Sequence, residues 1–251
     1  MATAELHTRA AFAGATRGIT RALLVYVPLG AFVVVTLFPF YWMFITSIKS
    51  NSELYNLNAP QFLVTQPTLE HYLYLLEQTK FFKWAANTLL IALASTAISL
   101  LCGILAGYAL ARLRFVGGTV LGVAIFVTYL VPQTLLFLPL VKVVRALGLS
   151  NTLWSMILTY PTFLIPFCTW LLMGYFKSIP RELEESALID GAGRINAMIR
   201  IVMPLALPGI LSAGIFAFTL SWNEFIYALV FTTSTDIKTI PVGVVTELVK
   251  G

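Results

Sequence analysis

The sequence predicts an all-α protein that crosses a lipid bilayer several times. Of its 251 residues, 59% are hydrophobic and only 11% are charged, whereas soluble domains carry about 25% charged residues. Five stretches without Asp, Glu, Lys or Arg each exceed the roughly 20 residues that a helix needs to cross the hydrocarbon core. We therefore predict five membrane-spanning helices, at about 22–48, 84–111, 115–141, 150–176 and 205–232.

Charge placement predicts the orientation of these spans. Arg9, Arg17 and Arg21 precede the first span, which is too long for the apolar part of a secretory signal, about 7–15 residues, and therefore reads as a retained anchor. The short turn 111–115 carries two more arginines and no acidic residue. Because basic residues in short loops stay inside, we predict a cytoplasmic N-terminal segment at 1–21, an external loop at 49–83 and a cytoplasmic loop at 177–204.

The external loop contains a stretch rich in aromatic residues and leucine at 68–84. Such a composition predicts a short helix that lies at the membrane interface. This helix could dock an external partner or cover the ends of the spans, and the sequence does not separate these alternatives.

Prolines are concentrated in the last three predicted spans. In lipid, the backbone groups that a proline frees must be satisfied by neighbouring helices or by a wet cavity. We therefore expect these three spans to form a protein-lined interior, with ordinary kinks as the alternative. The prolines concerned are Pro132, Pro139, Pro161, Pro166, Pro204 and Pro208.

Several other kinds of site are disfavoured. Cys102 and Cys168 lie in separate apolar stretches and are interpreted as buried apolar side chains, and the only histidines are His7 and His71, so no metal site is predicted. The 16 basic residues are scattered among the segment ends, which argues against nucleic-acid binding. An intramembrane enzyme is disfavoured because the spans lack histidine, metal-ligand clusters and paired carboxylates.

The cytoplasmic loop 177–204 begins with a predicted helix. Ser178 is suited to be its N-cap, and a helix is expected from about residue 179. Glu182, Glu184 and Glu185 then place negative charge in the first turns, where the helix dipole favours it.

A glycine corner and a second short helix are predicted to follow. Gly191 stands at a natural helix stop, because a residue without Cβ adopts the left-handed conformation at little cost. The second helix is predicted from Arg194 to Met203, with its end at Pro204. From these residues alone, the loop is either an element that inserts into a groove of another protein or a simple linker.

Residues 185–204, ESALIDGAGRINAMIRIVMP, resemble the E-A-A-x-x-x-G-x9-I-x-L-P signature of permease subunits in bacterial binding-protein-dependent ABC importers. Glu185, Ala187, Gly191, Ile201 and Pro204 match it, whereas Ser186 and Met203 replace an alanine and the leucine. Five further stretches are similar to the maltose-type second permease of the carbohydrate branch: LFPFYWMFITSIKS, NTLLIALAST, GYALARLRF, YLVPQTLLFLPL and SWNEFIYALVF.

The resemblance implies a type I ABC importer transmembrane domain over 22–251, in the bacterial inner membrane. Its partners would be an ABC ATPase dimer, a second permease that is a different chain, and an extracytoplasmic solute-binding protein. The solute would be a carbohydrate or a related polyol. The family has six spans, so we expect the sixth to be missing here, through either truncation or disorder of the C-terminus. The residues that the resemblance assigns to ATPase coupling are Glu185, Ser186, Ala187, Gly191, Ile201 and Pro204.

No G-x-x-x-x-G-K-[ST] stretch occurs, so the chain is not expected to hold ATP phosphates itself. It is therefore predicted to be no enzyme and to carry no cofactor. ATP and Mg²⁺ are expected in the partner ATPase.

Trp222, Asn223 and Glu224 are the candidate residues of the substrate path. A charge in mid-bilayer costs about 2.5–3.5 kcal/mol, so such a residue usually faces a cavity or a partner. Together the three offer an aromatic face, an amide and a carboxylate, groups that suit a sugar. Two alternatives remain open, namely that this stretch is structural, or that the chain is a proton- or ion-coupled secondary transporter that uses Glu224.

Overall fold

The computed structural model describes residues 2–56, 58 and 60–248, with side chains described from Leu24 onwards. The side chains of the basic N-terminal segment and residues 249–251 lie outside this part. In the described chain every regular element is a helix, and one isolated β-bridge pairs Lys49 with Pro67. The chain divides into two compact units, Met1–Thr79 and Lys80–Gly251.

Where the structure describes it, the first unit consists of one membrane-length helix and a folded loop. Its helices are α1 (Ala2–Ser47), α2 (Asn51–Leu54) and α3 (Glu70–Glu77). The part of α1 from Leu24 to Ser47 is long and apolar enough to cross a membrane. Helix α3 lies within the stretch for which an interfacial helix is predicted.

Buried polar groups hold the folded loop of the first unit together. The Lys49 ammonium donates to the carbonyl oxygens of Pro60 and Gln61, at 2.8 and 3.0 Å. The Glu53 carboxylate accepts hydrogen bonds from the backbone N–H groups of Thr65 and Gln66, each at 3.0 Å. Burial alone would raise the pKa of Glu53, but these backbone hydrogen bonds bring it below the ordinary value.

The described part of the second unit, residues 80–248, contains ten α-helices and two π-helical turns. The π turns are Met198–Val202 and Val244–Leu248. The α-helices are α4 (Phe81–Arg112), α5 (Gly118–Leu130), α6 (Gln133–Ala146), α7 (Leu153–Thr159), α8 (Pro161–Ser178), α9 (Glu182–Ile189), α10 (Arg194–Ala197), α11 (Met203–Trp222), α12 (Ile226–Phe231) and α13 (Ile240–Gly243).

Four segments of the described chain are long and apolar enough to span a membrane, and a bent helix pair makes a possible fifth. The four are Leu24–Ser47, Phe81–Arg112, Leu153–Ser178 and Arg194–Trp222. The pair is α5 and α6, whose axes differ by 97°. Its break falls at Val131 and Pro132, since a residue before proline is pushed out of the helical conformation. The predicted third span is thus two helices.

The centre of the second unit is built from α4, α8 and α11. Small residues let these helices approach each other: a Cβ on Gly103 would lie 2.6 Å from the Cβ of Cys168. The buried hydroxyls of Ser95 on α4 and Ser221 on α11 are 2.9 Å apart. Helix α5 has no buried residue. Helix α6 buries Val144, so within this chain the third span packs at the edge of the bundle of α4, α8 and α11, and its part in a protein-lined interior stays a prediction.

Residues 232–239, which we call the strap, bind the first turns of α4. The Asn87 amide donates to the carbonyl oxygens of Asp236 and Lys238, at 2.9 and 3.0 Å. The buried Trp84 indole donates to the carbonyl oxygen of Thr235 at 2.8 Å. These contacts join two parts of the chain that lie far apart in sequence.

Candidate functional site

The loop between α8 and α11 carries the predicted coupling residues, and its first turn differs from the prediction. Ser178 is the last residue of α8 and donates its hydroxyl to the Tyr175 carbonyl at 2.7 Å, so it is not the N-cap of α9. The cap position is Arg181, which makes no side-chain cap bond. The physical reason is Pro180: it forces Ile179 into an extended conformation, which ends α8 there.

The predicted glycine corner is confirmed. Gly191 has φ +89° and nothing lies within 4 Å of the place where its Cβ would be. The left-handed backbone, and not crowding, therefore favours glycine here. The N–H of Ala192 bonds the Ala187 carbonyl at 3.0 Å, and the N–H of Gly191 bonds the Leu188 carbonyl at 3.1 Å, which closes the helix end.

The second helix does not end at Pro204 as predicted. Helix α10 passes through the π turn Met198–Val202 directly into α11. The N–H of Met203 bonds the carbonyl of Met198, five residues earlier. Just before the proline, the backbone hydrogen bonds therefore span five residues, where an α-helix spans four. Pro204 then occupies the first turn of α11, where its missing N–H costs little.

The six predicted coupling residues lie on or near the surface. Glu185, Ser186, Gly191 and Pro204 are exposed, while Ala187 and Ile201 are half-buried. Four apolar side chains of the same loop are also exposed: Leu183, Ile189, Ile195 and Ile199. Exposed apolar side chains beside polar ones are typical of a surface that another protein covers.

Glu184 is the residue of this loop whose buried contacts the sequence did not predict. It is only 9% exposed, and its carboxylate accepts a hydrogen bond from the Tyr108 hydroxyl. Its other oxygen lies 3.5 Å from Nε of the buried Arg112. The available signal is the spacing of Tyr108 and Arg112, which places both on one face of α4.

Two arginine–carbonyl bonds complete this attachment. Arg112 donates through Nη2 to the Ile179 carbonyl at 2.8 Å. Arg181 donates through Nη2 to the Ala111 carbonyl at 3.0 Å. One of these bonds starts from α4 and the other from the residue before α9, and both have a charged donor. Helix α9 is thus fastened to the end of α4 and is expected to move with it.

The three candidate residues of the substrate path have different surroundings. Asn223 is exposed and Trp222 is half-buried. Glu224 is buried, and its two carboxylate oxygens accept hydrogen bonds from the N–H groups of Tyr227 and Ala228, at 2.8 and 3.1 Å. These bonds cap the start of α12 and satisfy both carboxylate oxygens. A contact between the three residues and a solute stays a prediction.

Comparison with known protein families decides which group of proteins carries such a loop. Residues 99–246 match the family described as binding-protein-dependent transport system inner membrane component. The chain belongs to this family. It is thus a multi-pass inner-membrane protein of the permease type, and the family match includes the loop, the Glu184 attachment and the Glu224 cap.

Individual relatives agree with this membership. The inner membrane ABC transporter permease YcjP of Escherichia coli K12 is 36% identical over 220 residues, which cover 87% of this chain and 78% of that protein. The sulfoquinovosyl glycerol permease SmoH of Agrobacterium fabrum is 38% identical over 208 residues, covering 83% and 73%.

A solved structure has the same fold. A bacterial ABC transporter involved in the import of the acidic polysaccharide alginate matches with a TM-score of 0.74 and 25% identity, over 93% of this chain and 79% of that one. The predicted all-α ABC importer fold and the resemblance to importer permeases are thereby confirmed.

Proposed function

We propose that this chain is the permease subunit of an ATP-driven importer for a carbohydrate or a related polyol, which an extracytoplasmic binding protein delivers. Family membership supports the permease role. The solute class is supported by the substrates that name two of its relatives, sulfoquinovosyl glycerol and alginate. The observation that carries the mechanism is an exposed signature loop fastened by a buried ion pair to the central helix α4.

In this proposal the loop is the coupling element for an ABC ATPase dimer, which holds the ATP and Mg²⁺. The exposed Glu185 and Ser186 face the ATPase, and the apolar side chains beside them fill its cleft. Gly191 sets the corner between α9 and α10. Ala187, Ile201 and Pro204 shape the base from which the loop projects.

The attachment of Glu184 to Arg112 transmits motion from the loop to the spans. When the ATPase subunits close on ATP, α9 and α4 shift together as one body. Since α4 packs through small residues against α8 and α11, its shift favours a second packing of the bundle. Inward-open and outward-open forms are then two populations whose balance the ATPase changes.

A second, different permease chain is proposed to complete the solute path. Leu211, Ile215 and Phe216 form an exposed apolar face of α11, which another membrane-spanning chain could cover. Asn223 and Trp222 lie at the end of the same helix and would contact the solute. We propose that the N-terminus of this inner-membrane chain lies in the cytoplasm.

The proposal is tested with the complete transporter in proteoliposomes. We expect the loaded binding protein to stimulate ATP hydrolysis, and solute uptake to stop when the ATPase is left out. Glu185→Ala and Gly191→Ala should each reduce the stimulated hydrolysis to the unstimulated level. Glu182→Ala, an exposed acidic position in the same helix but outside the signature, is the matched control and should keep stimulation.

Two outcomes would contradict the proposal. Persistent stimulation in both signature variants would remove the coupling role from this loop. Uptake that continues without the ATPase and follows a proton or ion gradient would instead indicate a secondary transporter.

A further inference from the structure

Two cavities adjoin where the signature loop meets the membrane-spanning helices. The larger has a volume of about 710 Å³ and lies between the end of α4, the start of α5 and α8. The smaller has about 290 Å³ and lies between the end of α4 and the helices α9 and α10. Leu113 and Arg114 line both, so the two cavities meet at these residues.

The two cavities differ in chemistry. The larger is mostly apolar, with Leu110, Val123, Phe126, Trp170 and Met173 among its lining residues and only Arg114 and Lys177 charged. The smaller is lined by four arginines and two glutamates: Arg112, Arg114, Arg181, Arg194, Glu184 and Glu185. The larger cavity is thus an apolar part and the smaller a cationic part, with Leu113 and Arg114 in the walls of both.

The cationic part holds positive charge that the described chain does not neutralise. Arg112 and Glu184 form an ion pair, and Arg181 donates to a carbonyl oxygen. Arg114 and Arg194 of this cavity form no ion pair with any described side chain, and neither does Lys177, which lines the larger cavity together with Arg114. Nε of Arg112 is buried and lies 3.5 Å from the Glu184 carboxylate, so this arginine already has its counter-charge.

We propose that the two cavities together bind one anionic phospholipid. Its phosphate lies among Arg114, Arg194 and Lys177, because guanidinium groups bind phosphate oxygens through paired, charge-assisted hydrogen bonds. One acyl chain fills the apolar cavity between α5 and α8. Basic pockets at the ends of membrane-spanning helices are suited to such headgroups.

Other occupants fit less well. A free phosphate ion would leave the larger apolar cavity empty, although Arg114 lines that cavity too. An apolar helix of a partner would fill the oily part but would leave three cations without a counter-charge. Only an amphiphile with an anionic head satisfies both parts at the depth where the spans end.

The test uses the assembled transporter in phosphatidylcholine nanodiscs that contain a small fraction of photoactivatable phosphatidylglycerol. We expect the probe to label peptides within 110–126 and 170–177, as read by mass spectrometry. Each basic residue near a membrane surface contributes about fivefold to the binding of an anionic lipid. The double variant Arg114→Gln/Lys177→Gln should therefore lower labelling about 25-fold.

The controls separate this site from a general charge effect. Lys142→Gln/Arg145→Gln removes an exposed basic pair at the end of α6, away from both cavities, and should leave labelling unchanged. If the double variant fails to assemble, Lys177→Gln alone should still reduce labelling about fivefold. A photoactivatable phosphatidylcholine should label these peptides weakly.

Four results would overturn the proposal. They are equal labelling by the two lipids, unchanged labelling in the Arg114 and Lys177 variants, absence of label from these peptides, and displacement of the probe by inorganic phosphate in phosphatidylcholine nanodiscs. The readout is binding, so it does not depend on whether the importer function proposed above is correct.

Discussion

Two neighbouring glutamates of the loop have opposite surroundings and should have separable effects. Glu184→Gln removes the counter-charge of the buried Arg112, which is expected to cost about 3 kcal/mol of stability. Glu185 is exposed, so Glu185→Gln should change stability by less than about 0.5 kcal/mol. Thermal unfolding of the purified protein in detergent measures both.

The two variants also act as controls for each other. We expect Glu185→Gln to lose binding-protein-stimulated ATP hydrolysis without a change in melting temperature. An unchanged melting temperature in Glu184→Gln would show that the Arg112 contact does not hold the loop.

A second residue-scale prediction concerns the packing of Gly243. A Cβ at this position would lie 2.4 Å from ring atoms of Trp84, which is itself buried. Gly243→Ala should therefore destabilise the protein by about 1–3 kcal/mol through overpacking. Gly174→Ala is the control, because nothing lies within 4 Å of that position in α8, and it should stabilise by about 0.5–1 kcal/mol. Equal melting temperatures for both variants would contradict the packing argument.

At this scale, the sequence predicts local conformation better than long-range contact. The left-handed backbone conformation of Gly191 could be predicted from the residues around it, because local sterics determine where a helix ends. The burial of Glu184 depends on Tyr108 and Arg112, some 70 residues earlier in the chain. Hydropathy and spacing within the loop could not show that Glu184, and not Glu185, would be covered.

At the scale of elements, the strap is held to α4 partly by charge. The Asp236 carboxylate accepts hydrogen bonds from Lys83 and Lys80, at 2.8 and 3.0 Å. These two bonds keep the pKa of Asp236 below its ordinary value, and the bond from Lys83 has the larger effect. Their contribution to stability is thus complete above the ordinary aspartate pKa and is lost as the pH falls through the lowered pKa.

The measurement compares melting temperatures of the parent protein and Asp236→Asn as the pH is lowered. We expect the parent protein to melt at a higher temperature than Asp236→Asn at neutral pH, and this difference to disappear on acidification. In a Lys83→Gln background, the same difference at neutral pH should be smaller. A difference that is independent of pH would mean that the carboxylate charge does not hold the strap.

The π turn Met198–Val202 links the loop to α11 and offers an element-scale test. A π turn contains one residue more than an α-helical ladder needs. The turn already absorbs that extra residue, so a further alanine inserted after Ile199 cannot be absorbed in the same way and should rotate α10 relative to α11 by about 100°. We therefore expect stimulated ATP hydrolysis to be lost in the insertion variant, whereas Asn196→Ala, at an exposed position of α10, should retain it. Normal stimulation in the insertion variant would show that the register of the loop is unimportant.

The elements themselves were partly predictable. Long apolar stretches reveal membrane-spanning helices because their length is imposed by the bilayer. The break at Pro132 and the end of α8 before Pro180 follow from sterics that act on the residue before a proline. Continuation of the helix through Pro204 was not foreseen, since a π turn depends on how α10 and α11 are held by their surroundings.

At the scale of the whole molecule, the Glu184 attachment bears on how often the second unit crosses the membrane. The loop that contains Glu184 bonds the end of α4 near Arg112, so both lie at one face of the bilayer. Between them the chain passes through the bent pair α5–α6 and the apolar segment Leu153–Ser178. A return to the same face requires an even number of crossings. The bent pair must therefore cross as one broken span and is not a re-entrant loop.

This parity argument makes a prediction that cysteine labelling can test. In a Cys102→Ala/Cys168→Ala background, single cysteines replace three exposed residues: Val116, Leu147 and Ile189. An impermeant maleimide applied to intact spheroplasts should label Leu147→Cys. Val116→Cys and Ile189→Cys should react only after permeabilisation, because both lie on the cytoplasmic side in the proposed orientation. If Val116→Cys and Leu147→Cys react from the same side, the bent pair is re-entrant, and the contact between Glu184 and Arg112 could not form in the membrane.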